Sequence, residues 1–432
     1  MLIEEIRNNG IIGAGGAGFP THVKLDSKPD TVIMNAAECE PLLHKDMQLI
    51  TNYTDILLDG FGKIIELTGA NQGIIGIKEK HHHEIELLNS KVSGKIKVMP
   101  VEDVYPAGDE AVLIYMTTKR VVQPNALPIS VGCVVQNVET ILNIGLGKPV
   151  VDKFVSVAGA IEYPATIKVP IGTSYKDIIS QFKVNVENFV VRTGGLMMGK
   201  LETDLNTVVS KRTGAIIILP HDHHCVKIYK RFSSEHDTDR IAKASCDQCN
   251  FCTELCPRYL LGQPVRPETA MRNRMFSRED MPMVFSGNLS CCECNLCTMY
   301  SCPEGLDPKG ATVIEKGISR KMGLEWNGRK SVPHPMYEYR KVPTSKLKQR
   351  LDILMFKDEG PLLELNAEPK EISIPLNQHI GSPALPVVSV GQQVKKYELI
   401  AVLNGNISTN VHASVDGIIK SVTNQEIIIH RN

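Results

Sequence analysis

The chain has 432 residues, with 48 basic and 48 acidic side chains, so its formal net charge is zero. Hydrophobic residues make up 42% and charged residues 22%, which is typical of a globular protein with more than one domain. This balance argues against broad electrostatic binding to nucleic acid, and no stretch approaches the ~20 apolar residues that span a bilayer. The opening residues, MLIEEIRNNG, lack the basic and apolar regions of a signal peptide, so a cytoplasmic protein without a transmembrane segment is expected.

Residues 1–148 alternate between helix-like and strand-like patterns. After a short helix-like opening, buried strands are predicted at 31–37, 73–78 and 95–101, and Ile56 to Ile65 follow helical spacing between the first two. This alternation is typical of an α/β layer with a mostly parallel sheet. A Rossmann-like domain is therefore predicted over this part of the chain.

Four further segments follow. Residues 149–232 read as a small α+β module with two strands, an amphipathic helix and another strand, and residues 233–325 are helical around cysteine runs. Residues 326–370 predict an extended linker with a short helix near 344–355. Residues 371–432 alternate apolar and polar positions between glycine turns, which predicts a β-rich domain. The predicted fold class is a multidomain α/β protein.

Two cysteine runs, C-x2-C-x2-C-x3-C-P and C-x2-C-x2-C-x4-C-P, predict a pair of [4Fe–4S] clusters. In ferredoxins with two such runs, the fourth cysteine of each run binds the other cluster. The expected first set is Cys246, Cys249 and Cys252 with Cys302. The expected second set is Cys291, Cys294 and Cys297 with Cys256.

Structural zinc and disulfides are the alternatives for these cysteines. Zinc sites use two pairs of ligands rather than triplets followed by Cys-Pro, and disulfides need an oxidising compartment. Cys292 competes with Cys291 as a ligand, but Cys291 keeps the two-residue spacing and is preferred. The extra residue before Cys302 is expected to bulge the second loop. The isolated cysteines 39, 133 and 225 are expected to be small buried side chains.

A glycine-rich loop, I-G-A-G-G-A-G-F-P-T, occupies residues 12–21. It follows a helix-like segment and not a strand, so it is not a Rossmann fingerprint. Its glycines permit positive φ angles, and successive N–H groups can form an anion site, with Pro20 starting a helix and Lys24 one turn later. A flexible surface loop is the alternative. The predicted anion-binding positions are Gly13, Gly15, Gly16 and Gly18.

Polar segments follow three of the strand-like runs: N-A-A-E-C-E-P at 35–41, Y-P-A-G-D-E at 105–110 and Q-N-V-E-T at 136–140. Ligands of open α/β sheets bind at the carboxyl ends of strands, so these segments are candidate binding loops. Two histidine groups are expected to be polar surface because consecutive side chains point in different directions: His81 to His83, and His221, His223 and His224 beside Cys225. A metal site at His223 and His224 near Cys225 is the alternative.

In this order, the glycine loop and the three polar segments resemble those of the flavoprotein subunit of respiratory complex I and of the related RnfC group. The resemblance covers nearly the whole chain. It implies that the glycine loop and Lys24 hold the phosphates of FMN or NADH. It further implies a flavin and nicotinamide site lined by Asn35, Glu38, Gly108, Glu110 and Asn137. Residues 149–232 resemble a soluble-ligand-binding β-grasp domain, and residues 371–432 a barrel-sandwich hybrid.

Within this family, the two-run ferredoxin module and the C-terminal position of the barrel-sandwich segment resemble PduS-type cobalamin reductases and PrdC-type proteins associated with proline reductase. The resemblance implies that electrons pass from NADH through FMN and two clusters to a corrinoid, cob(II)alamin, or to an acceptor protein such as proline reductase. The cofactors carry the chemistry, so no side chain is predicted as a catalytic acid or base.

Two other functions remain as alternatives: a non-enzymatic, cluster-only electron conduit or assembly subunit, and an RnfC-type subunit of a membrane ion-translocating NADH:ferredoxin complex. The resemblance to PduS-type proteins is compatible with a homo-oligomer, with a complex with a partner reductase and with a location inside a bacterial microcompartment. The C-terminal turn at 403–410 has no lysine, unlike the turn modified in lipoyl and biotinyl domains. A structural or docking role is therefore expected for this domain.

Overall fold

A computed structural model of the chain describes residues 2–231, 245–276, 283–365 and 369–431. The sequence-predicted domain boundary at 232–233 lies outside these ranges. Within them, the fold is a multidomain α/β arrangement with parallel, mixed and antiparallel sheets, as the sequence predicted. No helix in the described ranges has the length and apolar character needed to cross a membrane.

The first domain contains a four-stranded parallel sheet in the order β3-β2-β1-β5. The chain adds β2 and β3 on one side of β1 and then returns to place β5 on the other side, so the strand order reverses between β1 and β5. The strands of this domain are β1 (Thr31–Ala36), β2 (Gln72–Lys78), β3 (Ile96–Val101), β4 (Val104–Tyr105) and β5 (Cys133–Asn137), and β4 lies outside the four-stranded sheet. Its helices are α1 (Leu2–Asn8), α2 (Thr21–Leu25), α3 (Lys45–Thr68), α4 (His82–Lys91), α5 (Glu110–Thr118) and α6 (Val138–Leu146).

The predicted strands at 31–37, 73–78 and 95–101 correspond to β1, β2 and β3. Helix α3 is longer than the predicted helical segment because its apolar face continues in both directions against α6 and the sheet. Pro20 precedes the short helix α2 as its N-cap and does not occupy the first turn. Helices α5 and α6 each begin at a side-chain cap, Asp109 and Asn137 respectively, and end in a residue with left-handed backbone.

The second domain is built on a mixed six-stranded sheet, ordered β12-β7-β6-β10-β8-β9, to which a later segment contributes β12 (Leu362–Leu363). Parallel pairing of β6 with β10 and antiparallel pairing of β6 with β7 and of β10 with β8 make it mixed. Its elements are β6 (Asp152–Gly159), β7 (Ala165–Pro170), α7 (Tyr175–Ile179), β8 (Phe189–Thr193), β9 (Lys200–Glu202), β10 (Ala215–Pro220) and α8 (His224–Arg231).

The cysteine-bearing region contains short helices, as predicted, joined by loops and by single turns of 3-10 and π helix. Its helices are α9 (Phe251–Glu254), α10 (Pro257–Leu260), α11 (Pro267–Phe276) and α12 (Pro308–Lys321). The buried carboxylate of Glu315 on α12 accepts hydrogen bonds from Asn273, Asn288 and the backbone N–H of Phe285. This carboxylate ties α11 and the second cysteine loop to α12.

The segment after α12 is more than a linker. It contains α13 (Thr344–Arg350), close to the predicted short helix, and two strands that join other domains. Strand β11 (Val342–Pro343) pairs antiparallel with β4 of the first domain, and β12 (Leu362–Leu363) pairs parallel with β7 of the second. Edge pairing of this kind is decided by tertiary contacts, so the local composition indicated only an extended chain.

The C-terminal domain consists of two antiparallel sheets, ordered β13-β19-β18-β15 and β14-β16-β17. Its buried side chains form one continuous hydrophobic core with those of α1, α3 and α6, so the first and last domains pack as one body. The strands are β13 (Glu371–Pro375), β14 (Leu385–Pro386), β15 (Gln393–Val394), β16 (Leu399–Val402), β17 (Val411–His412), β18 (Gly417–Val422) and β19 (Glu426–Arg431).

Candidate cofactor sites

Asn35 and Asn137 stand side by side at the carboxyl edge of the parallel sheet. They lie at the ends of β1 and β5 and are paired in register across those two strands. Since the strand order reverses between β1 and β5, the crevice beyond these residues is the position where open α/β sheets bind nucleotides. The predicted binding loops therefore meet at one edge.

Asn35 fixes the loop that carries Gly108. Its side-chain N–H donates to the carbonyl of Gly108 at 2.8 Å, and its Oδ1 accepts from the backbone N–H of Ala37 at 3.2 Å. A Cβ on Gly108 would lie 2.8 Å from the carbonyl oxygen of Ala37 and 3.2 Å from the Cys39 sulfur. Only glycine fits this close approach, so the residue sets the distance between the two loops.

Asn137 joins three parts of the site. Its Oδ1 accepts from the N–H of Glu139 and caps α6, and its Nδ2 donates to Asp46 Oδ2 at 2.9 Å. A Cβ on Gly15 would lie 3.6 Å from the Asn137 Cβ, so the glycine loop packs against this side chain. The loop is thus held over the reversal point of the sheet.

The glycine loop has a rigid base and an open tip. At the base, the N–H of Gly13 donates to the Phe19 carbonyl at 2.8 Å, and the N–H of Ala14 donates to the Thr140 hydroxyl at 2.8 Å. At the tip, Gly15, Gly16 and Ala17 are exposed, and their N–H groups have no acceptor within the described part of the chain.

Gly16 has a φ of 107°, and no atom lies within 4 Å of the Cβ that another residue would carry there. Consecutive free amides on a left-handed bend form a concave donor set for an anion. The donor chemistry of the loop tip therefore fits the phosphate of FMN or of a dinucleotide.

Lys24 and Glu110, both predicted to line the site, contact each other. The Lys24 ammonium lies 2.5 Å from Glu110 Oε1, and both side chains are partly exposed. In this arrangement the positive charge of Lys24 is already paired. Glu110 begins α5, one residue after the cap Asp109.

Arg212 is a site residue that the sequence analysis missed. It lies on the loop between β9 and β10 of the second domain, and its Nε donates to the carbonyl of Gly16 at 3.1 Å. The loop sequence S-K-R-T-G carries no motif, and its approach to the glycine loop arises from the packing of two domains. No signal in the sequence identifies it.

Glu38 is half-buried beside Asp46. Burial, with repulsion from Asp46 adding to it, raises the pKa of Glu38 to about 8, so the carboxyl group is largely protonated at neutral pH. Its Oε2 accepts from the backbone N–H of Asp46 at 3.3 Å. A neutral carboxyl group at this position can donate as well as accept a hydrogen bond.

Glu139, of the Q-N-V-E-T segment, is buried between two lysines. Its Oε2 lies 2.9 Å from the ammonium of Lys45 and 2.5 Å from that of Lys153. Burial opposes its ionisation, but the two ammonium groups outweigh burial and hold the pKa of Glu139 below its ordinary value. The sequence indicated this segment as a binding loop but did not indicate that Glu139 is an internal ion-pair partner.

The four thiols of the first predicted cluster set line one cavity. Cys246, Cys249, Cys252 and Cys302 surround it together with Glu268, Met271 and Pro303. Burial raises the pKa of Cys252 to about 12, and neighbouring acidic groups, the other three thiols among them, add to that shift. In the described ranges, no three His, Cys, Asp or Glu side chains converge tightly enough for a single metal ion. The four thiols surround this cavity, as a cluster held by four thiolates requires.

The thiols of the second predicted set are also near one another. Burial raises the pKa values of Cys256 and Cys297, and the Cys291 thiol adds to both shifts. A hydrogen bond with Cys292, followed by burial, raises the pKa of Cys294, and Cys256 contributes. Cys256 thus lies near cysteines of the other run, and the exchange of fourth ligands stays a prediction.

The two cysteine loops have the same backbone conformation. Gln248 and Asn250 in the first loop, and Glu293 and Asn295 in the second, all have positive φ angles between 55° and 68°. These positions match when Cys291 is aligned with Cys246, and they do not match when Cys292 is. The repeat therefore favours Cys291 as the ligand and leaves Cys292 beside it.

The extra residue in the second run is absorbed by a π-helical turn. Residues Cys297–Ser301 form it, and the N–H of Cys302 donates to the Cys297 carbonyl at 3.1 Å, five residues back. In the first run, the N–H of Cys256 donates to Thr253, three residues back. A π turn contains one more residue than an α turn, so it accommodates the extra residue before Cys302.

The residues around the second predicted cysteine set contact the first and second domains directly. The Tyr105 hydroxyl donates to the Cys294 carbonyl at 2.7 Å. The guanidinium of Arg258, two residues after Cys256, lies 2.7 Å from the carboxylate of Asp109. Asn295 donates to the Met197 carbonyl at 3.0 Å.

The loop bearing Met197 is in turn held by the first domain. Its amides at 197 and 198 both donate to the carboxylate of Glu40, at 2.8 Å each. Glu40 belongs to the N-A-A-E-C-E-P segment that follows β1. A continuous set of contacts therefore runs from the carboxyl edge of the sheet to the second cluster loop.

Comparison with known proteins identifies three domains. Residues 6–146 match the Nuo51 FMN-binding domain, residues 245–307 a 4Fe-4S dicluster domain, and residues 359–432 the RnfC barrel sandwich hybrid domain. The predictions of FMN and of two iron–sulfur clusters as cofactors are confirmed by these matches. The NAD⁺-reducing [NiFe]-hydrogenase in its H2-reduced state shares the fold, with a TM-score of 0.51, at 17% identity over 75% of this chain and 62% of that chain.

Whole-length relatives are also found. The chain is 38% identical to cobalamin reductase PduS of Citrobacter freundii and 36% identical to that of Salmonella typhimurium, each over 99% of this chain and 96% of the relative. A component of the proton-translocating ferredoxin:NAD(+) oxidoreductase complex of Clostridium ljungdahlii is 33% identical over 60% of this chain and 56% of its own length. The predicted resemblance is confirmed: the chain is an oxidoreductase of flavin and iron–sulfur electron transfer and belongs to the family of the PduS cobalamin reductases.

Proposed function

We propose that this chain oxidises NADH at a bound FMN and passes the electrons through two [4Fe–4S] clusters to a corrinoid. The observation that carries this proposal is the set of contacts between the carboxyl edge of the flavin-binding sheet and the second cysteine loop. The corrinoid as acceptor is supported by the name of the relatives that match the whole chain. A partner reductase is the other acceptor that the domain composition supports.

The glycine loop and the asparagines at the sheet edge have separate roles in this proposal. The free amides of Gly15 and Gly16 bind phosphate, while Gly13 and Gly18 shape the loop. Asn35, Gly108 and Asn137 set the crevice that takes the flavin ring, and Glu38 supplies a neutral hydrogen-bonding group beside it. Lys24 and Glu110 form a paired charge at the entrance to the crevice.

The bound groups supply the redox chemistry: FMN takes two electrons with a hydride, and each cluster takes one electron at a time. The protein contributes positions and surroundings. Buried side chains around the cysteines exclude water, and backbone N–H groups stabilise thiolate sulfur, as the N–H of Glu293 does for Cys291 at 3.4 Å and that of Leu306 does for Cys302 at 3.4 Å.

The second cluster is the entry point and the first is the exit point. Tyr105 and Met197 contact the backbone of the second cysteine loop, and the flavin-binding domain holds both of these residues near its sheet edge. The first cluster set includes Cys249, which is exposed. Electrons therefore enter at the cluster held by Cys291, Cys294, Cys297 and Cys256 and leave from the other.

The test uses the full chain, purified anaerobically with reconstituted clusters and FMN. NADH should bleach the flavin and reduce both clusters, and cob(III)alamin should then be reduced, as followed by its visible absorption. In the Cys249→Ser variant, NADH should still reduce the second cluster, seen by electron paramagnetic resonance, while transfer to the corrinoid is lost.

The Cys294→Ser variant is the matched control because it removes the other cluster. The first cluster should then stay oxidised when NADH is added. Reduction of the first cluster at the wild-type rate in this variant would contradict the proposed order. Absence of any NADH-driven flavin reduction in the wild-type chain would reject the function itself.

A further inference from the structure

The loop that carries Arg212 is fixed by contacts with the first and last domains. The neighbouring Lys211 is buried, and its ammonium donates to the carbonyls of Gly10 at 2.7 Å and Asn410 at 3.0 Å. The backbone N–H of Lys211 donates to Gln378 Oε1 at 2.9 Å. These contacts hold the backbone at 211–212 in a fixed position relative to the glycine loop.

The Arg212 side chain itself lies over the glycine loop. Its Nε bonds to the Gly16 carbonyl, and a Cβ on Gly18 would lie 2.9 Å from its Cδ. The guanidinium has no carboxylate partner in the described ranges, and its two outer nitrogens donate to no described acceptor. The residue is exposed, so these nitrogens are available to a ligand.

Two kinds of donor that lack acceptors within the described residues therefore meet at the glycine loop. One is the row of N–H groups at Gly15, Gly16 and Ala17, and the other is the outer edge of the Arg212 guanidinium. A planar guanidinium binds two phosphate oxygens at once, which an ammonium cannot do. Lys24, the cation that the sequence suggested for this role, is already paired with Glu110.

We propose that Arg212 binds the phosphate held by the glycine loop, so that the second domain completes the nucleotide site of the first. This inference rests on the proposed function. Two ligands share the chemistry: the phosphate monoester of FMN and the pyrophosphate of NADH. Binding measurements with separate probes distinguish them.

A merely structural role for Arg212 would have a different signature. If the Nε bond to Gly16 only clamps the loop, its loss would weaken the binding of every flavin equally. If the outer nitrogens bind phosphate, the loss would weaken FMN and leave riboflavin, which has no phosphate, unchanged. The comparison of the two flavins therefore distinguishes the two roles without measuring turnover.

The experiment uses the deflavinated full chain with both clusters reconstituted. Affinities for FMN, riboflavin and ADP-ribose are measured for the wild type, Arg212→Gln and Arg212→Lys, the flavins by fluorescence quenching and ADP-ribose by calorimetry. Loss of a hydrogen-bonded charge should weaken phosphate binding by about tenfold to a hundredfold in Arg212→Gln, with a smaller effect in Arg212→Lys. Lys200→Gln, an exposed cation on β9 of the same domain, is the control and should change nothing.

Each outcome decides the proposal. A selective loss for FMN over riboflavin supports the flavin phosphate as the ligand, and a selective loss for ADP-ribose supports the dinucleotide. Equal losses for both flavins, or no loss for any probe, overturn the role of Arg212 while the proposed function stands. If the wild-type chain binds neither FMN nor ADP-ribose, the proposed function fails together with this inference. Iron content and thermal melting verify that each variant is folded.

Discussion

Replacing Glu139 by glutamine leaves two buried ammonium groups without the carboxylate that both contact. Lys45 and Lys153 are each no more than 5% exposed at the side chain, and Glu139 is 1% exposed. Removing one partner of a buried ion pair typically costs about 3–5 kcal/mol because the remaining charge stays desolvated. Since the pKa of Lys153 is about 8, this lysine can release its proton in the variant, so the lower half of that range is expected.

The assay is urea unfolding of the purified chain at neutral pH, followed by circular dichroism. The midpoint of the first unfolding transition should move to a lower urea concentration for Glu139→Gln. The double variant Glu139→Gln with Lys153→Met should recover part of the loss, because it removes one of the uncompensated charges. Glu162→Gln is the control, because Glu162 pairs with Lys183 in an exposed position and should leave the transition unchanged. A loss under about 1 kcal/mol for Glu139→Gln would refute the argument that this carboxylate balances the two lysines.

Three further variants test other parts of the structure. Cys291→Ser should lower the iron content from about eight to about four atoms per chain, whereas Cys292→Ser should keep about eight; the reverse result would contradict the alignment of the two loops. Burial alone lowers the pKa of Lys211 to about 7, so the folded chain binds fewer protons than the unfolded chain between pH 7 and 10.5, and stability rises with pH there. Between pH 7 and 9 the free energy of unfolding of the wild type should rise by about 2 kcal/mol relative to that of Lys211→Met, as measured by urea unfolding. If the two proteins instead show parallel changes with pH, the amine is charged in the folded chain. Gly18→Ala places a methyl group against Arg212 at a φ of 73°, so it should weaken FMN binding in fluorescence titration; unchanged affinity would show that the loop adapts.

The parallel sheet and its polar edge could be predicted because they depend on local patterns. Runs of apolar residues indicated β1, β2 and β3, and the segments after the strands indicated the residues that meet at Asn35 and Asn137. The cysteine spacing likewise indicated two cluster sets, since four thiolates around one small core require tight loops. In each case the chemistry and the position are encoded within a few residues.

Other features depend on packing between distant segments and left no local signal. Arg212 reaches the glycine loop from another domain. Glu139 contacts Lys153 on β6, and no sequence pattern indicated this pairing. The strand pairing of 342–343 with 104–105 is too short to be read from composition. The π turn at 297–301 was expected as a bulge, but its hydrogen-bond pattern depends on where Cys302 must arrive.

The segment that follows α12 affects how electrons are transferred within the protein. The segment contacts the cysteine-bearing region, where the His334 N–H donates to the Leu260 carbonyl, and then the first domain, where the Thr344 N–H donates to the Asp103 carbonyl. Where a tethered domain must diffuse between an electron donor and an acceptor, electron transfer slows in viscous solvent. Here the segment bonds to both the cysteine-bearing region and the first domain, so the distances between the electron carriers are set when the chain folds. Internal transfer should therefore proceed at the same rate in glycerol as in water, and only the encounter with the external acceptor should slow.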